Sequence, residues 1–204
     1  MNDSPEIASM TVRQFADALS EKRPVPGGGA AAAVVLAHAA ALGSMVIAYT
    51  TGKKAFAAHE SRLAHLATFL AGVRAEAMLL ADRDARAYLT LNALWKLPPD
   101  QRTSAPGWST AVDEAIAAPR AIADLALATL AAVRALDGVT TASLRSDLLI
   151  GARFAQAALE GGLLNVEANL PSVTDAARAT ELRAFIDARR AEGDAMTLAA
   201  NPGG

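Results

Sequence analysis

The longest uncharged stretch of the chain runs from Pro24 to Gly52 and opens on three consecutive glycines, in PVPGGGA. Such a stretch can cross a membrane or form the centre of a helical bundle. Nine of the 21 residues from Ala30 to Thr50 are alanine, and alanine is far less lipophilic than leucine or isoleucine. We therefore expect a buried central helix that begins after the glycines, and no membrane span.

Apolar spacing predicts helices on both sides of this segment. Thr11 and Gln14 match a capping box at the start of a short helix that ends near Ser20. Between about His59 and Leu97, apolar residues recur at alternating intervals of three and four. That spacing is typical of a long helix with one buried face.

One acidic residue interrupts the apolar row of this long helix. Asp84 occupies a row position, whereas the other charged residues are expected mostly on the solvent side: Arg62, Arg74, Glu76, Asp82, Arg83 and Arg86. Burial raises the pKa of a carboxyl group unless a cation pairs with it. Asp84 is therefore a candidate general acid or base. The alternative is a carboxylate in a partly wet stretch, paired with a neighbouring basic residue.

The second half of the chain also predicts helices. Their expected ranges are Thr110 to Leu136, then Ser143 or Ser146 to the residue before Pro171, then Ser172 or Thr174 to Met196. Pro119 predicts a kink or restart, because proline has no N–H for the helix ladder. Aromatic residues make up only 4% of the chain, against 52% hydrophobic residues, which favours close-packed helices over strands. We expect one all-α domain over residues 1–204, with a core at about 10–198 and a loose tail at 199–204.

Charge and composition exclude several classes of function. The net charge is −2, so no attraction to nucleic acid is expected. There is no cysteine, which excludes disulfides and thiolate chemistry. His59 and His65 lie six residues apart, a spacing that does not set two ligands on one helix face, so we expect no metal site. The N-terminus has no signal-peptide pattern, and a cytoplasmic location is expected.

Two further groups of residues are candidates for ligand binding. The glycines lead into a helix N-terminus, whose free N–H groups suit a carbonyl, carboxylate or phosphate; tight helix packing is the alternative. A nucleotide loop is not expected, since no strand precedes the glycines and no GK[ST] follows. Asp147 and Asn165 share a helix face, with Asn169 one turn further. At 1.5 Å per residue the first two are about 27 Å apart, too far to act on one small molecule within one subunit.

Five blocks of the sequence occur in an order that resembles a known family. They are PVPGGGAAAAV, SMVIAYTTGKKAF, DARAYLTLNALWKLP, the proline at 119 and SDLLIGARFAQAALEGGLLNVEANL. In this order they resemble the cyclodeaminase/cyclohydrolase family, over about residues 10–190. The family comprises the C-terminal domain of formiminotransferase-cyclodeaminase and the stand-alone methenyltetrahydrofolate cyclohydrolases of the serine cycle.

The resemblance implies a fold, a partner and a reaction. The fold is an all-α bundle of long antiparallel helices that forms a homodimer, and the substrate is a tetrahydrofolate derivative with no tightly bound cofactor. The enzyme either hydrolyses 5,10-methenyltetrahydrofolate to 10-formyltetrahydrofolate or releases ammonia from 5-formiminotetrahydrofolate. Both reactions pass between a delocalised cation and a tetrahedral carbon. A carboxylate suits this chemistry, because it can oppose the positive charge and act as acid or base. The absence of a fused formiminotransferase region favours the cyclohydrolase.

The resemblance also implies site residues. Asp84 matches the acidic residue of the family's D-x-x-A-[FY] block and Asp147 that of its S-D block, and both are expected to be catalytic. The expected substrate-binding residues are Pro26, Gly27, Gly28, Gly29, Lys53, Lys54, Ser146, Asn165 and Asn169, with the two lysines on the glutamate tail. The chain departs from the family pattern at Ala55, Pro99, Ser143 and Glu167. A diverged, non-catalytic helical dimer that binds a folate or another small molecule is the alternative function.

Overall fold

The computed structural model describes residues 6–196, and this range contains seven α-helices and no strand. The helices are α1 (Val12–Ser20), α2 (Gly28–Thr50), α3 (Glu60–Trp95), α4 (Pro99–Arg102), α5 (Trp108–Arg134), α6 (Arg145–Asn169) and α7 (Ala176–Ala195). This architecture confirms the predicted all-α class. The predicted loose tail at 199–204 lies outside the described residues.

Helix α2 forms the centre of the bundle and packs against α3, α5 and α6. Its small residues let the neighbouring helices approach: a Cβ added to Gly43 would lie 2.9 Å from Leu70 Cδ1. On α6, a Cβ added to Gly161 would lie 2.8 Å from Ala32 Cβ, near the start of α2. Gly151, near the start of α6, lies against the second half of α2. Helices α2 and α6 therefore run antiparallel at close range.

Among the residues that the structure describes, three helical segments have the length and hydropathy of a membrane span, namely Gly28–Thr50, Lys54–Trp95 and Trp108–Arg134. The bundle buries 50%, 28% and 61% of their respective apolar windows. The first segment is α2, which packs against α3, α5 and α6. Its position agrees with the central helix that its alanine content predicted.

The start of α1 and the path of α5 follow from local sequence. Thr11 Oγ1 accepts a hydrogen bond from Gln14 N at 3.2 Å, and Gln14 Oε1 accepts one from Thr11 N at 2.8 Å. This is the predicted capping box. Helix α5 contains Pro119 and continues through it to Arg134, so the predicted restart does not occur.

The predicted N-caps of α6 and α7 are wrong. Leu144 precedes α6 and makes no side-chain cap bond, whereas Asp175 caps α7 by accepting bonds from Ala177 N and Arg178 N. A short 3-10 turn, Ala142–Leu144, leads directly into α6, whereas the turn Leu170–Ser172 continues from the end of α6 and is separated from α7 by residues 173–175. Ser143 therefore lies inside the turn before α6, and at α7 the side chain of Asp175 takes the cap one residue after Thr174.

Asp82 corrects another expectation, because it is buried rather than on the solvent side of α3. Only 7% of its surface is exposed. Its Oδ1 accepts a hydrogen bond of 2.6 Å from the backbone N–H of Ile7, which is itself buried. The segment before α1 therefore folds back over α3 and covers a face that helical spacing alone leaves to solvent.

Candidate active site

Asp84 lies on α3 with its carboxylate at the N-terminal end of α2. Gly27 occupies the N-cap of α2 and supplies no capping side chain. The backbone N–H of Ala30 instead hydrogen-bonds to Asp84. The first N–H groups of a helix have no partner within the helix, so Asp84 caps α2 from a neighbouring helix.

Gly29 is the glycine that this approach requires. A Cβ added at position 29 would overlap the Asp84 carboxyl group, with Oδ2 at 2.6 Å. At Gly28 an added Cβ would make an ordinary contact, 3.5 Å from Asn165 Nδ2, and at Gly27 nothing lies within 4 Å. None of these three glycines has a positive φ. Close approach of a side chain, not backbone conformation, therefore explains the glycine at position 29.

The environment of Asp84 changes its acidity. Burial raises its pKa from the ordinary 3.8 to about 6, and the hydrogen bond from Ala30 N–H opposes part of that rise. Desolvation disfavours the charged form, whereas a donor to the carboxylate favours it. With a pKa close to neutral, Asp84 exchanges a proton readily in the pH range of most enzymes.

Two asparagines of α6 face the same place. Asn165 Nδ2 donates to Gly161 O at 2.7 Å, and Asn169 Nδ2 donates to Asn165 O at 2.9 Å and to Ala115 O at 3.1 Å. Turning either amide over would set its oxygen against carbonyl oxygens, so these bonds fix the orientation. Within residues 6–196, no group donates to either Oδ1. Both amide oxygens are therefore free to accept from a ligand.

A cavity of about 200 Å³ joins these groups. The glycine turn, Asp84, Tyr88 and the two asparagines line it, together with Pro24, Val25 and Ala115. The Tyr88 ring packs edge-on against Trp95, with 5.9 Å between the ring centroids. None of the lining residues is Lys, Arg or His. The cavity thus offers hydrogen-bond acceptors on its α3 and α6 sides and helix N–H groups on its glycine side.

The other predicted site residues lie elsewhere. Lys53 Nζ donates to Thr141 Oγ1 at 3.0 Å, beyond the C-terminal end of α2. Because α2 has 23 residues, its two ends are about 34 Å apart. The structure brings together Gly27, Gly28, Gly29, Asp84, Asn165 and Asn169, with Pro26 buried in the turn before them. It leaves Lys53, Lys54, Ser146 and Asp147 at the far end of the bundle.

Sequence reasoning missed Tyr88 and the segment before the glycines. Tyr88 follows Asp84 by four residues, one helical turn, so the two side chains share a face of α3. That spacing was a usable signal. Pro24 and Val25 line the cavity together with Asp84 and Tyr88 of α3, and nothing in their local pattern indicates this position.

Comparison with known proteins supports the resemblance. The family model for formiminotransferase-cyclodeaminase matches residues 11–188. The formimidoyltransferase-cyclodeaminase of Sus scrofa is 31% identical over 176 residues, which are 84% of this chain and 32% of that protein. The chain thus spans about a third of the length of this curated relative. The methenyltetrahydrofolate cyclohydrolase of Methylorubrum extorquens is 28% identical over 193 residues, 91% of each chain.

A solved structure shows the same fold. The formiminotetrahydrofolate cyclodeaminase of Thermotoga maritima superposes with a TM-score of 0.77 at 24% sequence identity, over 94% of this chain and 97% of that one. The family match includes the glycine turn, Asp84 and both asparagines of the cavity. The family model matches most of the chain, and the solved structure has the same helical bundle. These findings confirm what the five sequence blocks predicted: the chain belongs to the formiminotransferase-cyclodeaminase family.

Proposed function

We propose that this chain is a folate-dependent one-carbon enzyme that hydrolyses 5,10-methenyltetrahydrofolate to 10-formyltetrahydrofolate. The observation that carries the proposal is Asp84, a largely buried carboxylate with a pKa of about 6 in a cavity next to a helix N-terminus. The relative that matches along 91% of both chains is named as a methenyltetrahydrofolate cyclohydrolase. That match supports hydrolysis, and a cyclodeaminase structure that matches 94% of this chain and 97% of its own supports deamination as the second candidate.

The proposed reaction uses Asp84 first as a base and then as an acid. Its carboxylate accepts a proton from water as the water oxygen bonds to the cationic methenyl carbon. The resulting carbinol is tetrahedral at that carbon. Asp84 then returns the proton to N5 as the bond between N5 and the carbon breaks, while the carbinol hydroxyl loses its proton to solvent. The products are 10-formyltetrahydrofolate and one proton, so atoms and charge balance.

The polarity of the cavity suits the ring end of a folate. Asn165 Oδ1 and Asn169 Oδ1 are free acceptors, which fit the N–H groups of a reduced pterin. The N-terminal N–H groups of α2 fit its ring carbonyl. Tyr88, held by Trp95, offers an aromatic wall. Because the cavity measures about 200 Å³, the aminobenzoyl-glutamate part of the substrate extends outside it.

The cyclodeaminase reaction is the second candidate. Relatives from Sus scrofa and Thermotoga maritima carry that activity in their names. In this reaction N10 attacks the carbon of the protonated formimino group, and the Asp84 carboxylate takes the proton that N10 loses. Asp84 passes this proton to the formimino nitrogen, which departs as ammonia and leaves the 5,10-methenyl cation. The same carboxylate serves both reactions, so the substrate offered to the purified protein distinguishes them.

We also propose that the protein is a homodimer, in which Asp147 lies at the interface between the two copies. Three large apolar side chains on α6 are exposed, Ile150 by 45%, Phe154 by 38% and Leu164 by 52%. Asp147, Ile150 and Phe154 are spaced by three and four residues, so they lie on one face of α6. Leu164 lies on the same face, ten residues after Phe154. A second copy on this face would cover the row and Asp147 with it. Light scattering on the wild type and on Phe154→Glu tests this: a monomeric wild type contradicts the dimer.

We propose that the chain works in the cytoplasm without a membrane or nucleic-acid partner. The net charge of −2 and the position of α2 among three helices support this. Recovery in the soluble fraction without detergent is the expected result, and recovery only with detergent contradicts it.

The enzyme proposal is tested by following the absorbance of 5,10-methenyltetrahydrofolate. We expect the wild type to accelerate its loss and Asp84→Asn to be at least about a hundredfold slower, the usual contribution of a general acid or base. Glu76→Gln, which removes an exposed carboxylate from the same helix, should retain activity. If the wild type binds folates in calorimetry but turns over neither substrate, the non-catalytic alternative is correct.

A further inference from the structure

Pro119 lies inside α5, a continuous helix of 27 residues. In an uninterrupted helix, the N–H of residue 119 would donate to the carbonyl of Ala115, four residues earlier. Proline has no N–H, and its ring pushes that carbonyl away from the helix axis. Ala115 O therefore lacks its usual helix donor.

A side chain from another helix supplies a donor instead. Asn169 Nδ2 on α6 donates to Ala115 O at 3.1 Å, across 54 residues of sequence. Ala115 is a buried residue, and buried carbonyls without a partner are rare because they lose their bonds to water. The proline on α5 and the asparagine on α6 thus complement one another.

Packing of α6 on α5 places this asparagine within reach. A Cβ added at Gly162 would lie 2.9 Å from both Pro119 O and Ala123 N, so α6 contacts α5 at the proline itself. Gly162 and Asn169 are seven residues apart, which is two helical turns, and they share a face of α6. The close contact at Gly162 therefore directs Asn169 toward the freed carbonyl.

We propose that Pro119 is a positioning residue for the cavity. By withholding an N–H from Ala115, it leaves a carbonyl that, together with the carbonyl of Asn165, holds the amide nitrogen of Asn169, and this turns Asn169 Oδ1 toward the ligand. The identity of that ligand rests on the proposed function, whereas the orientation of the amide does not. A proline in a helix interior, where it is otherwise unfavourable, thus has a use here, because the site takes the carbonyl that the missing N–H leaves free.

The test compares Pro119→Ala with wild type in two measurements. Alanine restores the N–H at position 119, so we expect the melting temperature to stay the same or rise. We expect the affinity for 5-formyltetrahydrofolate, measured by calorimetry, to fall about tenfold, which corresponds to about 1.4 kcal/mol. KM for 5,10-methenyltetrahydrofolate should rise more than kcat falls, because Asp84 is not disturbed. Pro99→Ala, at the exposed first turn of α4, is the matched control and should change neither.

A double-mutant cycle separates this role from a merely structural one. In the Asn169→Ala background, Pro119→Ala should cause no further loss of affinity, because the side chain through which it acts is absent. Equal losses in both backgrounds, or an unchanged affinity in Pro119→Ala, would overturn the proposal.

A third measurement needs no ligand. In nitrogen-15 spectra, the side-chain amide of Asn169 should shift and exchange its protons faster in Pro119→Ala than in wild type. An unchanged amide signal overturns the positioning role. A wild type that neither binds nor converts any folate overturns the proposed function, and the amide spectrum still decides the role of Pro119.

Discussion

Asp84→Asn is expected to make the protein more stable above pH 7, although it removes the proposed catalytic group. Burial raises the pKa of Asp84 from 3.8 to about 6. At 1.36 kcal/mol per pH unit, holding this carboxylate ionised in the folded protein costs about 3 kcal/mol. Asparagine has nearly the same shape, carries no charge and retains an oxygen for the N–H of Ala30. It therefore removes the cost and keeps the helix cap.

The sign of this effect depends on pH. Because the pKa in the folded state is above that in the unfolded state, the unfolded chain releases the proton first as pH rises. Below about pH 3.8 Asp84 is protonated in both states, and the variant has no advantage from this source. The advantage grows as pH rises from 3.8 to about 6 and reaches its full value of about 3 kcal/mol above pH 7.

Urea unfolding at pH 4, 6 and 8 measures the difference in unfolding free energy between the variant and wild type. Glu76→Gln on the exposed side of α3 controls for the general effect of removing an acidic charge. The reasoning is refuted if the difference is the same at pH 4 and pH 8, or if Asp84→Asn is the less stable protein at pH 8. Either result would mean that burial of the ionised carboxylate is not the dominant influence on this group.

Three further predictions concern the site. Gly29→Ala should lower kcat/KM more than tenfold, because its Cβ overlaps the Asp84 carboxyl, whereas Gly72→Ala on α3, with nothing within 4 Å, should stay close to wild type; equal effects would contradict the close-approach argument. For a base with a pKa of about 6, kcat/KM should rise with pH and level off above about pH 7, and a flat profile from pH 5 to 8 would exclude Asp84 as the base. If a second copy brings Asp147 to the cavity, mixing inactive Asp84→Asn and Asp147→Asn subunits should restore part of the activity, and no recovery would argue against a shared site.

Several features of this fold are local and could be predicted from sequence. The capping box of Thr11 and Gln14 needs only four consecutive residues, and the alternating spacing around Asp84 needs only one helix. The alanine content of α2 predicted its central position, because helices approach closely where side chains are small. Asp84 stood out for a similar reason, since a carboxylate in an apolar row must be desolvated or paired.

Other features depend on which segments meet. Asp82 is buried because the chain before α1 covers it, and helical spacing cannot show that cover. The start of α6 was misplaced because a 3-10 turn leads into it, and that of α7 because Asp175, not a serine or threonine, caps it. The predicted site residues lie in two groups, at opposite ends of α2, which are about 34 Å apart. The order of motifs along the sequence does not show this separation.

By itself the sequence determined the all-α class, the central helix and Asp84 as the candidate acid or base. Each follows from the spacing and size of side chains along single helices. Only the tertiary structure decided that Asp84 caps α2, that Gly29 alone of the triplet must lack a side chain, and that Asn169 takes the carbonyl that Pro119 leaves free. The physical reason is that these are contacts between helices. A pattern along one helix determines which face is buried, but the partner of each polar group depends on the helix packed against it.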